Sequence, residues 1–464
     1  MRILLVRPPR IKQAITLGSF MFSEPLGLEM IYGVLKKDHQ VKILDMMIQD
    51  DLPGELRDFS PHIVGITSLC IDVDRVISLA GECKAFDRDI ITMVGGTQTL
   101  LSPESFFDEG IDHIFKFSTR DNILELMGQI EEGRIEALDG VLSRYLAYYD
   151  TGTQGRNEYL PPDRESTRVY RSHYSYFGYR PAAIMELGLG CGKTCDFCLR
   201  WRIEGAREEM IPEEIWQEDL LSIKEPTVMF IDNDLFSDDG KVDHLINFIQ
   251  EKGIEKNYIA YGSVHGILRH KDKVRKMASL GLKALLVGYE TFDDGELVKY
   301  RKKSTTEENR EAARLLQEIG IDVWASFMAH PDWTRDDFRT FRAYIKDLAP
   351  EISTINPLTP FPGLPLFEKY RDRLLYRVED FHMWSFGQVM IMPSKMSLRS
   401  YYMELLKTYL YINLAMNRNT EMIRKYGFIN ILRILRGSIG ASFKYIRLMS
   451  QRGRFGTSEK VQIF

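Results

Sequence analysis

The chain has 464 residues, of which 44% are hydrophobic and 27% charged, and a formal net charge of −5. That length allows two or three domains with well-filled cores, and the acidic balance excludes the broad basic field of a nucleic-acid partner. Five cysteines are too few for a disulfide framework and fit a reducing cytoplasm.

Met1 to Pro9 reads as a strand rather than a secretory leader. No apolar run reaches membrane-spanning length, and there is neither a fixed-period repeat nor a low-complexity tract. Ile3-Leu4-Leu5-Val6 is expected to be a buried parallel strand ended by Pro8-Pro9, and Glu24–Lys37 a helix. Further strands are expected at Val41–Asp45, His62–Ser68, Ile90–Val94 and His113–Phe117, with helices at Asp72–Phe86, Glu104–Glu109 and Asp121–Glu131. Strict β/α alternation predicts an α/β unit over residues 1–140, a Rossmann-like doubly wound parallel sheet. Ligands of such sheets sit at the carboxyl ends of the strands. Here those ends hold Pro8-Pro9, Thr67-Ser68, Gly95-Gly96 and Ser118.

Residues 141–178 read as a linker, polar from Tyr145 to Tyr170 with room for a short hairpin. Over residues 179–375 the alternation resumes. Strands are expected at Ala182–Leu187, Thr227–Asp232, Tyr258–Tyr261, Lys283–Val287, Asp322–Met328 and Ile352–Asn356. Helices are expected at Pro212–Ile223, Lys241–Glu251, Lys271–Leu280, Asp294–Tyr300, Thr306–Ile319 and Arg335–Leu348. The pattern predicts a partial (β/α)6 barrel, whose chemistry belongs at the carboxyl ends of its strands. Residues 376–464 read as a helical region. Its end, from Arg418 to Arg454, mixes apolar residues with many Arg and Lys and one acidic residue, Glu421. Two readings stand there: a cap on the barrel with arginine stems reaching outward, or a segment lying in a bilayer surface.

The densest chemistry lies in Gly188-Leu189-Gly190-Cys191-Gly192-Lys193-Thr194-Cys195-Asp196-Phe197-Cys198. Cys191, Cys195 and Cys198 are spaced C-x3-C-x2-C. Three thiolates in one loop can hold three irons of a [4Fe–4S] cubane, leaving the fourth open for chemistry. A structural zinc would want a fourth Cys or His, and His173 is the nearest upstream candidate. A disulfide would need only two of the thiols and an oxidising compartment.

This spacing resembles the signature of radical S-adenosylmethionine (SAM) enzymes, in which the open iron chelates the methionine moiety of SAM. Val94-Gly95-Gly96-Thr97-Gln98-Thr99 is similar to the Val-Gly-Gly-x-His-x motif of the cobalamin-binding domain that precedes the barrel in one large subgroup. Glu24-Pro25-Leu26-Gly27-Leu28-Glu29, Asp332-Trp333 and Pro360-Phe361-Pro362-Gly363 narrow the likeness to the hopanoid C-3 methylase type. There are two departures. No D-x-H-x-x-G motif is present, so no axial histidine of that kind is expected. Phe117-Ser118-Thr119-Arg120 stands where the subgroup has Gly-Glu-Gly-Glu, so a scaffold that binds no corrin stays open as a reading.

The resemblance implies a cluster on Cys191, Cys195 and Cys198, SAM near Phe197, Asp232, Asp234, Ser263, Glu290 and Arg301, and cobalamin near Pro8, Thr67, Ser68, Gly95, Gly96 and Gln98. For Asp232 and Asp234 a helix cap is the competing reading, and for Arg301 a solvated helix end. The implied reaction is radical cleavage of SAM followed by methylation of an unactivated carbon in a small-molecule or lipid-like substrate. A radical lyase, mutase or cyclising enzyme is the alternative. A reducing donor such as flavodoxin or ferredoxin is implied, as is a cytoplasmic place, with peripheral membrane contact through the basic tail. No side chain is assigned as catalytic acid or base.

Overall fold

The computed structural model describes residues 1–9, 21–176, 178–416 and 428–450. The first sheet contains β1 (Arg2–Arg7), β2 (Gln40–Asp45), β3 (Ile63–Ser68), β4 (Ile91–Gly96), β5 (His113–Phe115) and β6 (Val141–Ser143), in the order β2-β1-β3-β4-β5-β6. The first five strands are parallel, and β6 adds an antiparallel edge by pairing with β5. Period-two alternation sends Leu4, Val6, Val64 and Ile66 to one face, under α2 (Leu52–Phe59) and α3 (Val73–Phe86). Ile3, Leu5 and Ile63 go to the other, under α1 (Leu26–Leu35) and α5 (Arg120–Glu132). A short helix α4 (Thr97–Leu101) follows β4.

The expected doubly wound sheet is present, and β6 extends it past residue 140. The expected helix at Glu104–Glu109 is a single 3-10 turn, Pro103–Phe106, whose preceding Ser102 hydroxyl bonds Glu104 instead of opening an α-helix. The linker contains no hairpin between Tyr145 and Tyr170. Its Ser175–Tyr176 instead pairs antiparallel with Met21–Phe22 of the first unit.

The linker also locks the two α/β units together. The buried Arg164 guanidinium donates to both Asp219 oxygens at 2.7 and 2.6 Å, to Glu24 at 3.0 Å, to Glu29 at 3.2 Å and to the Ile184 carbonyl at 2.9 Å. Arg171 adds contacts to Glu24, Glu29 and Glu225. One guanidinium thus bonds the first unit, through Glu24 and Glu29, and the second, through Ile184 and Asp219. Its planar fork suits several carboxylates at once.

The second sheet comprises β7 (Ala182–Met185), β8 (Thr227–Phe230), β9 (Asn257–Gly262), β10 (Leu282–Glu290), β11 (Asp322–Ala329) and β12 (Ile352–Pro357). They are all parallel and stand in sequence order, as a partial barrel requires. Ile184, Met229, Ile259, Trp324 and Ile352 form one apolar cluster along the inward positions. Helices α6 (Glu213–Ser222), α7 (Asp239–Lys252), α8 (Lys271–Ser279), α9 (Thr306–Ile319) and α10 (Arg335–Leu348) supply the outer ring. Toward the carboxyl ends, inward residues such as Gly288, Ser326, Met328, Thr354 and Asn356 are only half-buried, so the mouth is open where the floor is filled.

Two last helices, α11 (Leu398–Tyr411) and α12 (Phe428–Ser450), pack on each other and on the barrel. Tyr401 donates its hydroxyl to the Ala329 carbonyl at 2.9 Å, and Tyr445 donates to Gly387 at 3.0 Å. Of the two readings for this region, the cap matches the packing of α11 and α12. Residues 417–427 and 451–464 of the basic tail lie outside the described residues.

Candidate active site

The cysteine loop leaves β7 over the barrel mouth. Gly190 has φ +93, and a Cβ there would sit 2.1 Å from the Arg207 carbonyl, so only glycine permits the turn. Cys191 N–H donates to Gly205 at 3.1 Å, and the Trp201 indole donates to the Cys195 carbonyl at 3.0 Å. Phe197 stands edge-on to Tyr300, with ring centroids 5.6 Å apart.

Burial raises the pKa of Cys195, and that of Cys198 to about 11. Charge on Cys191 adds to the rise at Cys195, and charge on Cys191 and Cys195 to the rise at Cys198, so the three lie within electrostatic reach. Yet among the described residues no three His, Cys, Asp or Glu side chains converge tightly enough for a single metal ion. A cubane does not ask for that convergence, because each thiolate takes its own iron. The donor set, three thiols in one loop, fits a cluster with one iron left open.

Around the loop the sequence-expected residues fall into two groups. Glu290, with φ +62, holds Lys302 at 2.5 Å, and Lys302 is close enough to Cys195 and Cys198 to be stabilised by thiolate charge. Arg301 pairs with Asp196 of the loop at 3.1 Å and is otherwise exposed. Asp234 ties loop to barrel: it accepts from Lys193 at 2.6 Å and from the Ser263 hydroxyl at 2.5 Å and backbone at 3.1 Å. Ser263 in turn caps the short helix Val264–Arg269.

Asp232 lies in the barrel wall. It accepts from the Leu187 N–H at 3.1 Å and from Lys241 at 3.3 Å, so its carboxylate is engaged inside the barrel wall. Asp234 is likewise engaged by protein groups on both oxygens. These aspartates position the loop. Sequence reading missed the lysines that make this so, because Lys193, Lys241 and Lys302 belong to no motif; only their placement opposite carboxylates across strands gives them a role.

A cavity of about 350 Å3 lies between the two α/β units. Its walls come from the α1 side of the first sheet, from the linker at Arg156–Leu160, and from the barrel at Glu186, Leu189, Ile203, Glu204 and Ile231. Gly65 and Thr67 of β3, Gly95, Gly96 and Ser118 all face it. Gly96 has φ +112, and a Cβ there would lie 2.5 Å from the Ser68 carbonyl. Tyr159, in the wall, has a buried hydroxyl without a hydrogen-bond partner among the described residues. A deep apolar slot, glycines along its rim and an orphaned hydroxyl fit a large flat cofactor rich in amides.

Pro8, Ser68 and Gln98, expected at this site, are buried outside the cavity lining. Alternation along β3 turns Ser68 away from Thr67's side, where its hydroxyl bonds the Leu69 carbonyl at 3.0 Å. Gln98 points inward from α4.

On the barrel side the cavity wall includes two carboxylates, Glu186 and Glu204. Arg200 reaches Glu186 at 3.5 Å, Glu204 at 2.6 Å and the Asn233 amide oxygen at 2.6 Å. Desolvation lifts the Glu186 carboxyl to about 8, against the pull of Arg200 and with the push of Glu204 and Asp232. None of these residues was expected from sequence. A carboxylate directly after an apolar strand and five residues before the first cysteine was the available signal. A second cavity of about 220 Å3 opens at Cys191 and is lined by Lys193, Arg269 and Lys303 among others.

Comparison with known proteins gives two family matches: the radical SAM superfamily over residues 185–345 and the B12 binding domain over residues 15–126. The hopanoid C-3 methylase of Methylococcus capsulatus is 28% identical over 398 residues, 84% of this chain and 76% of that protein. The anaerobic magnesium-protoporphyrin IX monomethyl ester cyclase of Rubrivivax gelatinosus is 23% identical, over 80% of this chain and 70% of that one. Among solved structures, the radical SAM methyltransferase TsrM from Kitasatospora setae, with cobalamin and a [4Fe–4S] cluster bound, superposes with a TM-score of 0.67. It is 14% identical, with 96% of this chain and 99% of that one covered.

Proposed function

From the premise that this chain belongs to the cobalamin-binding radical SAM family, as a radical SAM enzyme using a [4Fe–4S] cluster, SAM and cobalamin, we propose that it methylates an unactivated carbon of an apolar, lipid-like substrate. One observation carries the reading. The apolar cavity runs from the first sheet to Leu189, two residues before Cys191, so a methyl donor held there would stand beside the loop of the radical source.

When bound, the cluster supplies the electron that splits SAM, and cobalamin supplies the methyl group. Cys191, Cys195 and Cys198 would hold the cluster. Asp234 keeps the loop on the barrel through Lys193, and Lys302 brings a positive charge to the thiolates, with Glu290 as its counter-ion. Glu290, Ser263, Phe197 and Arg301 would hold SAM at the mouth. Thr67, Gly95 and Gly96 would line the corrin and leave its approach free of side-chain bulk. The linker walls the chamber at Tyr159 and Leu160 and keeps water from it.

Glu186 looks into the same chamber. Neutral at pH 7, it would donate a hydrogen bond to one uncharged polar group of an otherwise greasy substrate. The cations Lys193, Arg269 and Lys303 beside Cys191 suit an acidic one-electron carrier such as flavodoxin or ferredoxin. Reduced thiols and a strong reductant belong in a cytoplasm.

The test is anaerobic reconstitution with iron, sulfide, cobalamin, SAM and reductant. Formation of both 5′-deoxyadenosine and S-adenosylhomocysteine is the expected result, and 5′-deoxyadenosine alone would exclude methylation. A second reading, radical ring closure without methyl transfer, rests on the cyclase relative and on the altered Ser118-Thr119-Arg120 stretch, and the same assay separates it.

A further inference from the structure

Helix α12 carries more apolar surface than its packing covers. Tyr445 and Leu448 are buried against the cap. Phe428, Leu432, Ile439, Phe443 and Ile446 are instead 61%, 48%, 55%, 68% and 48% exposed. At about 100° per residue these five fall within an arc of about 60°, so they form one stripe roughly 27 Å long. The neighbouring α11 also exposes Met403 and Leu410. The α12 sequence contains Arg433, Arg436, Lys444 and Arg447 and no Asp or Glu, in a chain whose net charge is −5. Among the described residues no helix is long and apolar enough to cross a membrane.

We propose that α12 seats the protein on an anionic bilayer surface, with the stripe sunk at the acyl boundary and the positive charge of the helix set against lipid phosphates. A second copy of the chain would cover the stripe too, but would bring two cationic helices together; anionic lipid neutralises the same charge. The binding goes beyond the chemistry at the barrel mouth and does not depend on it.

The test is co-sedimentation of the full chain with vesicles of phosphatidylcholine alone and with added phosphatidylglycerol. At least tenfold stronger binding to the anionic vesicles is expected, weakening with salt. Ile439→Glu with Phe443→Glu should lower it about tenfold or more. The milder pair Ile439→Ser and Phe443→Ser, with an unchanged melting temperature, guards against misfolding. Equal binding to both vesicle types, or undiminished binding by the folded variants, overturns the proposal. So does a dimer in solution that the variants abolish while the wild type ignores vesicles. SAM cleavage measured without vesicles should be unchanged in the variants, so loss of seating and failure of the proposed chemistry read out separately.

Discussion

A single carboxyl group in the chamber wall makes the chemistry testable by pH. Glu186 is lifted to about 8 by burial, so it is neutral at pH 7 and becomes a carboxylate above about 8. A donor to an uncharged substrate group is then lost as pH rises. The KM of the wild type for substrate is expected to climb above pH 8, while Glu186→Gln should match the wild type at pH 7 and stay flat to pH 9. A flat wild-type profile would remove the role. Gly190→Ala is expected to lose the cluster for a different reason. Positive φ and the 2.1 Å approach to Arg207 mean the loop must move, at a cost of about 1–3 kcal/mol. Iron content after reconstitution measures it. The three cysteines were legible because their spacing is chemical. Glu186 and the three lysines were not, since each gains its meaning from a partner on another strand.

Elements were read best where the sequence marks their ends. Thr305 and Glu308 form a capping box at the start of α9, and Gly320, with φ +83, closes it, so the expected span Thr306–Ile319 agrees with the observed helix. Thr334 and Asp337 do the same for α10. Where such marks are missing, as at Glu104–Glu109 and in the short edge strand β6, periodicity over so few residues could not decide. Strand β3 bears a further expectation. Gly65 opens its middle to the cavity, and a Cβ there would meet only the Leu5 Cδ2 methyl, at 3.1 Å. Gly65→Val should therefore fold, and even gain from β-branching, while filling part of the slot. Cobalamin affinity is expected to fall about tenfold or more, with the cofactor-free melting temperature not lowered. Equal affinity in both proteins would place the cofactor elsewhere.

For the molecule as a whole, the buried network at Arg164 sets how the two α/β units sit. Arg164→Met leaves Asp219 without its cation and Glu24 and Glu29 with Arg171 alone, and is expected to cost about 3–5 kcal/mol in urea unfolding. The pH dependence follows from Glu29. Burial and the neighbouring Glu24 lift it from an ordinary 4.5 to about 7, while Arg164 and Arg171 pull it down. The folded state therefore holds a proton that the unfolded chain has released, and stability falls as pH rises from about 4.5 to 7. Glu29→Gln should flatten that part of the curve. None of this was legible from sequence: the linker looked polar and loose, because a buried guanidinium reads the same as a solvated one until its carboxylates are found far away in the chain.

The linker's course has a consequence for how the enzyme is made. Three separate stretches of chain meet around one void, and no two of them enclose it alone. Whatever occupies that void touches all three and is a keystone for the assembled shape, so its supply should govern how much intact enzyme accumulates. Starved of it, the protein is expected to be clipped by protease near Arg156, and vitamin added before digestion should protect that site.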